Sequence, residues 1–90
     1  MAYQLDFTKN FIKAYKKLPE NIKNEVDDAL ITLSGGRPYP KGLRVKKMQG
    51  HKFVFEASPT MFYRITFHYN NPNYIVLRNV GPHDKTLKNP

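Results

Sequence analysis

Apolar and polar positions alternate with a period of two through Phe62–Tyr69. Tyr63, Ile65, Phe67 and Tyr69 fall on one side, and Arg64, Thr66 and His68 on the other. That period predicts a strand with one buried and one wet face. The run NNPN then predicts a turn and YIVLRNV a second strand, whose end leads through Gly81-Pro82 into an exit loop carrying His83. Tyr3–Phe7 alternates in the same way and predicts a short strand at or near a sheet edge. Between these strands the period becomes helical. Phe11, Tyr15 and Leu18 at i, i+4 and i+7 predict a helix over Lys9–Lys17 with Thr8 as its cap. Pro19 suits the first turn of a second helix, and Glu20 suits the positive end of its dipole. Ile22, Val26, Ala29, Leu30 and Leu33 carry that helix until Gly35-Gly36 stops it. So short a link makes the two helices a hairpin.

The middle of the chain is less regular. Arg37–Gly42 reads as a stiff, turn-rich connector. Leu43–Met48 predicts a strand with Leu43 and Val45 inward, and Gln49–Lys52 a turn. Phe53–Ala57 predicts another strand, with Phe53, Phe55 and Ala57 sharing a face, and Ser58–Met61 a turn. The element order is strand, helix, helix and four strands. It predicts a single α+β domain over residues 1–90, with a helical hairpin packed on one face of a four- to five-stranded, mainly antiparallel sheet.

Charge sharpens this picture because it is unevenly placed. Residues 1–39 carry six Lys/Arg against five Asp/Glu, while residues 40–90 carry nine against two. The acidic residues Glu25, Asp27 and Asp28 lie on the second helix, away from the predicted basic strands. A cationic sheet half is the electrostatic footprint of a polyanion partner, most often nucleic acid. The chain has no cysteine, so it has no disulfide framework and no thiolate metal site. His51, His68 and His83 lack metal-ligand spacing, so neither metal nor cofactor is expected. No apolar run is long enough to span a bilayer and no secretory leader is evident, so a soluble cytoplasmic protein is expected.

Metal-independent cleavage of RNA requires a group that moves protons and fixed cations that meet the charge growing on the phosphoryl oxygens. Arg64, set in an otherwise apolar strand, is the candidate cation, since a guanidinium matches two phosphate oxygens at once. The competing reading is an ion pair with Glu56, which a tight hairpin at 58–61 brings onto the same face. His83 is the candidate acid or base, because an unperturbed imidazole titrates near neutral pH. Asp84 is placed either to orient it or to cap the short tail. Arg44, Lys46, Lys47, Lys52, Arg78 and Lys85 make up a surface that can track phosphates. Lys9, Lys13 and Lys16 repeat on one helix face, which reads first as a solvated stripe and second as an RNA contact. Tyr39, Phe62, Tyr69 and Tyr74 can stack bases, although most are expected in the core.

The segments LDFTKNFIKAYKKLP, KGLRVKKMQG, FYRITF and VLRNVGPHDK, taken in this order, resemble the RelE/ParE superfamily of bacterial type II toxin–antitoxin toxins. The resemblance covers nearly the whole chain and rests on the joint order of these segments. It implies an antitoxin that wraps and quenches the toxin. In the RelE-like branch it implies cleavage of mRNA in the ribosomal A site, and hence mRNA and the ribosome as partners. In the ParE-like branch it implies non-enzymatic inhibition of DNA gyrase. A decayed, non-toxic antitoxin-binding domain is the third alternative. The strand arginine of the nucleases aligns with Arg64. The position just past the last strand, arginine or histidine in different branches, aligns with His83. A lysine pair of the best-known member is replaced here by Phe55 and Ala57 flanking Glu56, and its C-terminal tyrosine has no counterpart. Glu56 as general base is therefore an inference made for this chain alone.

Overall fold

The helical stripes resolve as expected, and the strand alternation does so for the apolar face of the central hairpin, in the computed structural model, which describes residues 2–90. Five strands and three helices follow one another: β1 (Gln4–Phe7), α1 (Lys9–Lys16), α2 (Glu20–Ser34), β2 (Lys46–Lys47), β3 (Phe55–Thr60), β4 (Tyr63–Asn70), β5 (Tyr74–Pro82) and α3 (His83–Lys88). A single 3-10 turn, Lys41–Leu43, precedes β2. The strands form one sheet in the order β1-β5-β4-β3-β2. β1 runs parallel to β5 and every other pair is antiparallel.

Thr8 shows how the sequence fixes this architecture locally. Its hydroxyl accepts from the Phe11 N–H at 3.1 Å, which caps α1, and donates to the Leu77 carbonyl at 2.8 Å, which pins the cap to β5. α1 and α2 then turn Phe11, Val26, Ala29, Leu30 and Leu33 toward the sheet. Ile65 and Phe67 of β4 and Ile75 and Leu77 of β5 meet them, all fully buried. Tyr15 donates to Asp27 at 2.6 Å and ties the two helices together. That bond, ahead of burial, pushes the Tyr15 hydroxyl up to about 12. Among the described residues, no helix is long and apolar enough to cross a membrane.

Three expectations for the middle of the chain are corrected. The Leu43–Met48 strand shrinks to Lys46–Lys47, because Leu43 closes the 3-10 turn and Arg44 adopts the left-handed conformation at φ 52°. Phe53 does not share the inward face of Phe55. It precedes β3 and is 72% exposed, while its neighbour Val54 is buried. The expected turn at Ser58–Met61 lies mostly within β3, which runs on to Thr60. Its register with β4 shifts between Ala57 and Thr60, and a bulge is where a strand can hold Pro59, which has no N–H to donate.

The second sheet face departs furthest from its sequence pattern. Thr66, assigned to a wet face, is fully buried. The chain beyond β5 is not an exit loop: it forms α3, and residues 89–90 then lie over this face. Thr66 Oγ1 donates to the Pro90 carbonyl at 3.1 Å, Arg78 Nε to the same oxygen at 3.0 Å, and Asn79 Nδ2 to the Asn89 carbonyl at 2.8 Å. A register skip makes this convergence possible. Thr66 pairs with Asn79 but Phe67 with Leu77, so Arg78 is an extra residue and both Arg78 and Asn79 reach the covering segment.

Candidate active site

Arg64 sits near the start of β4, where it pairs with Gly81 of β5. Alternation from Gly81 through Pro82 returns His83 to the same face. The backbone closes the arrangement, since the His83 N–H donates to the Phe62 carbonyl at 2.8 Å. Arg64 and His83, 19 residues apart in sequence, therefore line one open hollow of about 490 Å3 together with Met61, Phe62, Pro82 and Asp84.

The guanidinium is held on two sides. Nη1 donates to the carbonyls of Tyr63 at 2.8 Å, Met61 at 3.0 Å and Thr60 at 3.2 Å, so it clamps the β3–β4 hairpin. Nε lies 3.5 Å from Glu56 Oε1, close enough for an ion pair but without a hydrogen bond, and it is buried. Those contacts leave Nη2 with no hydrogen bond among the described residues. The ion pair with Glu56 is formed, and the same side chain also lines the hollow. The side chain of Glu56 is only 9% exposed and is turned to Arg64.

His83 is positioned differently. Its side chain is half-exposed, and Nδ1 lies 2.8 Å from Asp84 Oδ1. With Nδ1–H donating to that carboxylate, Nε2 is the nitrogen left to accept or deliver a proton. Asp84 is itself 92% exposed, so it orients the ring without burying it.

The remaining candidates disperse. Lys46 pairs with Glu56 across β2 and β3, on the face of Arg64, and its side chain is exposed. Lys47 and Lys52 border the turn that carries His51, and Arg44 is exposed beside the 3-10 turn. Arg78 is half-covered: besides the Pro90 carbonyl it meets His68 Nδ1 at 3.0 Å through Nη1. Burial, and then the Arg78 charge, push the His68 imidazole below its ordinary value, against a weaker pull upward from Asp6. Lys85 lies on α3 and faces a different cleft from His83. Tyr39 and Tyr69 belong to the far end of the sheet. Their hydroxyls stand 3.2 Å apart, and Arg37 lies 4.9 Å over the Tyr69 ring. Burial, then the bond to Tyr69, raise the Tyr39 hydroxyl well above its ordinary value.

Met61 and Pro82 were missed as lining residues. Met61 fell within an assumed turn, and nothing in its neighbourhood distinguished it. Phe62 was noted only for its ring. The structure shows Met61 75% and Phe62 71% exposed at the rim of the Arg64–His83 hollow.

By sequence, no protein-family model and no curated protein matches the chain. By structure, the likeness is close. A chain of the Escherichia coli DinJ–YafQ toxin–antitoxin complex superposes with a TM-score of 0.79 at 15% identity, covering 94% of this chain and 97% of that one. A chain of the archaeal RelE–RelB complex from Pyrococcus horikoshii gives 0.71 at 22% identity, covering 91% and 96%. A mutant of the E. coli toxin RelE in the free state gives 0.73 at 18% identity, covering 98% and 92%. These identities carry the fold, and the coverage carries it over the full length of both partners. The chain has the RelE-like α+β fold.

Proposed function

We propose that this protein is the toxin of a type II toxin–antitoxin pair and acts as a metal-independent endoribonuclease on mRNA presented by the ribosome. The observation that carries the reading is the shared hollow of Arg64 and His83, open to solvent on a molecule of formal net charge +8. Arg64, anchored through Nη1 and paired at Nε, offers Nη2 to the phosphoryl oxygens without having to order itself at the moment of reaction. His83, oriented by Asp84 through Nδ1, transfers a proton at Nε2, at the leaving 5′ oxygen or at the attacking 2′-hydroxyl. In this scheme Glu56 is a positioning residue that holds the guanidinium, in place of the general-base role inferred from sequence. Lys46, Lys47, Lys52 and Arg44 extend the cationic surface along the adjoining edge of the sheet, where mRNA or ribosomal RNA would lie. A cognate antitoxin quenches the toxin by covering this surface, as the antitoxin partners in the complexes of the structural neighbours invite.

The commitment of Arg64 Nη1 to three carbonyls favours a second reading, in which the arginine is structural and the protein is either a ParE-like inhibitor of gyrase or an inactive antitoxin-binding domain. Induced expression separates the readings. Under the nuclease reading the wild type arrests growth, primer extension maps new 5′ ends within translated mRNA, and His83→Ala and Arg64→Lys both relieve arrest while remaining folded. Intact mRNA with loss of DNA supercoiling supports gyrase inhibition. Full toxicity of both variants rejects the assigned roles.

A further inference from the structure

A second cationic feature stands apart from the hollow. Lys13 of α1, Lys17 at its C-terminal cap and Lys85 of α3 line a cleft of about 370 Å3 between these helices, with Asn10 and Asn89 among the other walls and no carboxylate side chain on any of them. Lys13, in the last turn of α1, and Lys17, at its C-terminal cap, stand by the negative end of that helix. Lys85 comes from a different helix, and bringing it against the other two adds repulsion with no carboxylate in the cleft to offset it. The walls are fixed rather than adjustable. A Cβ at Gly81 would lie 2.8 Å from the Thr86 hydroxyl, so α3 packs on β5 at glycine distance, and Thr86 is fully buried. The cleft also adjoins the Arg64–His83 hollow, because Pro82 lines both. His83 faces the hollow and Lys85, two residues further along α3, faces the cleft.

Resting on the nuclease reading of the hollow, we propose that the cleft is a phosphate-binding subsite for the same single-stranded RNA. The strand crosses the Pro82 ridge, and the phosphates beyond the nucleotides in the hollow meet Lys13, Lys17 and Lys85. A phosphodiester chain fits better than an acidic peptide because the cleft continues directly from a site suited to a phosphate, and because its lysines and asparagines read charge without selecting a base. The subsite sets the minimum RNA length for tight binding and carries no chemistry.

Non-cleavable 2′-O-methyl RNAs of two and eight nucleotides test this by fluorescence anisotropy over a salt series. The wild type is expected to bind the octamer far more tightly than the dinucleotide. A Lys13→Ala, Lys17→Ala, Lys85→Ala triple variant should bind the dinucleotide like the wild type, bind the octamer at least tenfold more weakly, and show a log–log salt slope shallower by about 2, from about 0.7 per lost phosphate contact on single strands. A control with the same charge loss outside the cleft, at Lys9, Lys16 and Lys41, should change octamer binding much less. Equal losses in the control and the cleft variant overturn the subsite, as does octamer binding no tighter than dinucleotide binding in the wild type. An unchanged octamer affinity in the cleft variant, with weakened capture of an acidic protein partner, assigns the cleft to protein and also overturns it. Failure of the wild type to bind either RNA overturns the subsite, whereas the nuclease reading itself stands or falls on the primer-extension map of translated mRNA.

Discussion

Glu56→Gln is the substitution that best separates holding Arg64 from reacting with substrate. It keeps the shape of the side chain and an acceptor oxygen but removes the charge 3.5 Å from Arg64 Nε. At that distance and an effective dielectric near 20, the attraction is about 4–5 kcal/mol before desolvation is counted. Breaking a buried pair from one side costs about 3–5 kcal/mol, because the remaining ion stays desolvated. Here the Arg64 side chain, 13% exposed, keeps three carbonyl partners and one face on an open hollow. The loss should therefore fall at or below the bottom of that range, at about 2–3 kcal/mol. For a domain of this size that is a fall in Tm of roughly 10–20 °C. Urea titration of the wild type, Glu56→Gln, Arg64→Ala and the double variant closes a mutant cycle, and a coupling of at least about 1 kcal/mol is expected. Cleavage measured well below the melting transition should stay within about tenfold of wild type, because a positioning residue is replaced by one of the same shape. A coupling near zero refutes the claim that Glu56 holds Arg64. A folded Glu56→Gln protein with a 10²-fold or greater loss of cleavage, the range for a lost general base, makes Glu56 a reacting group after all.

Other expectations follow from the same contacts. Gly81→Ala forces its new methyl against the buried Thr86 hydroxyl and should cost about 1–3 kcal/mol, with Thr86→Ala in the same chain restoring part of it; no rescue means that α3 is not seated by that contact. His68 has its folded pKa depressed below 6.5, chiefly by burial. The unfolded state then binds more protons below that value, so stability is complete above about pH 6.5 and declines as pH falls toward the lowered folded pKa. His68→Gln should flatten that part of the stability–pH curve, as read by thermal melts between pH 5 and 7.5, and an unchanged curve refutes the assignment.

Much of the fold was legible because it depends on local period. The stripe Phe11, Tyr15, Leu18 and the alternation of Ile65 and Phe67 fix which faces are apolar, and nothing distant needs to be known to see that they must be covered. The link at Lys17–Pro19 is too short for anything but a hairpin. Arg64 stood out for a similar reason, as a charge in an apolar strand. The stretch between Leu43 and Thr60 was misread because period fails there. Pro59 looked like a turn and is a strand bulge, and Phe53 looked like core and is exposed. The bulge depends on register with β4 and the place of Phe53 on where β3 begins, and both are properties of segments brought together.

The sequence by itself determined the two helices, the central hairpin and the concentration of positive charge in the second half, since each follows from the spacing of side chains along a short stretch. Only the tertiary structure decided that β1 lies beside β5, that the chain after Pro82 becomes a helix and folds back over Thr66 and Arg78, and that Arg64 and His83 share a hollow. The bulge at Arg78 and the close approach of Gly81 to Thr86 set those positions. Each is a contact between residues whose individual preferences do not specify it, and it holds because polar groups that lose water on the covered β4–β5 face find partners in the segment that covers them.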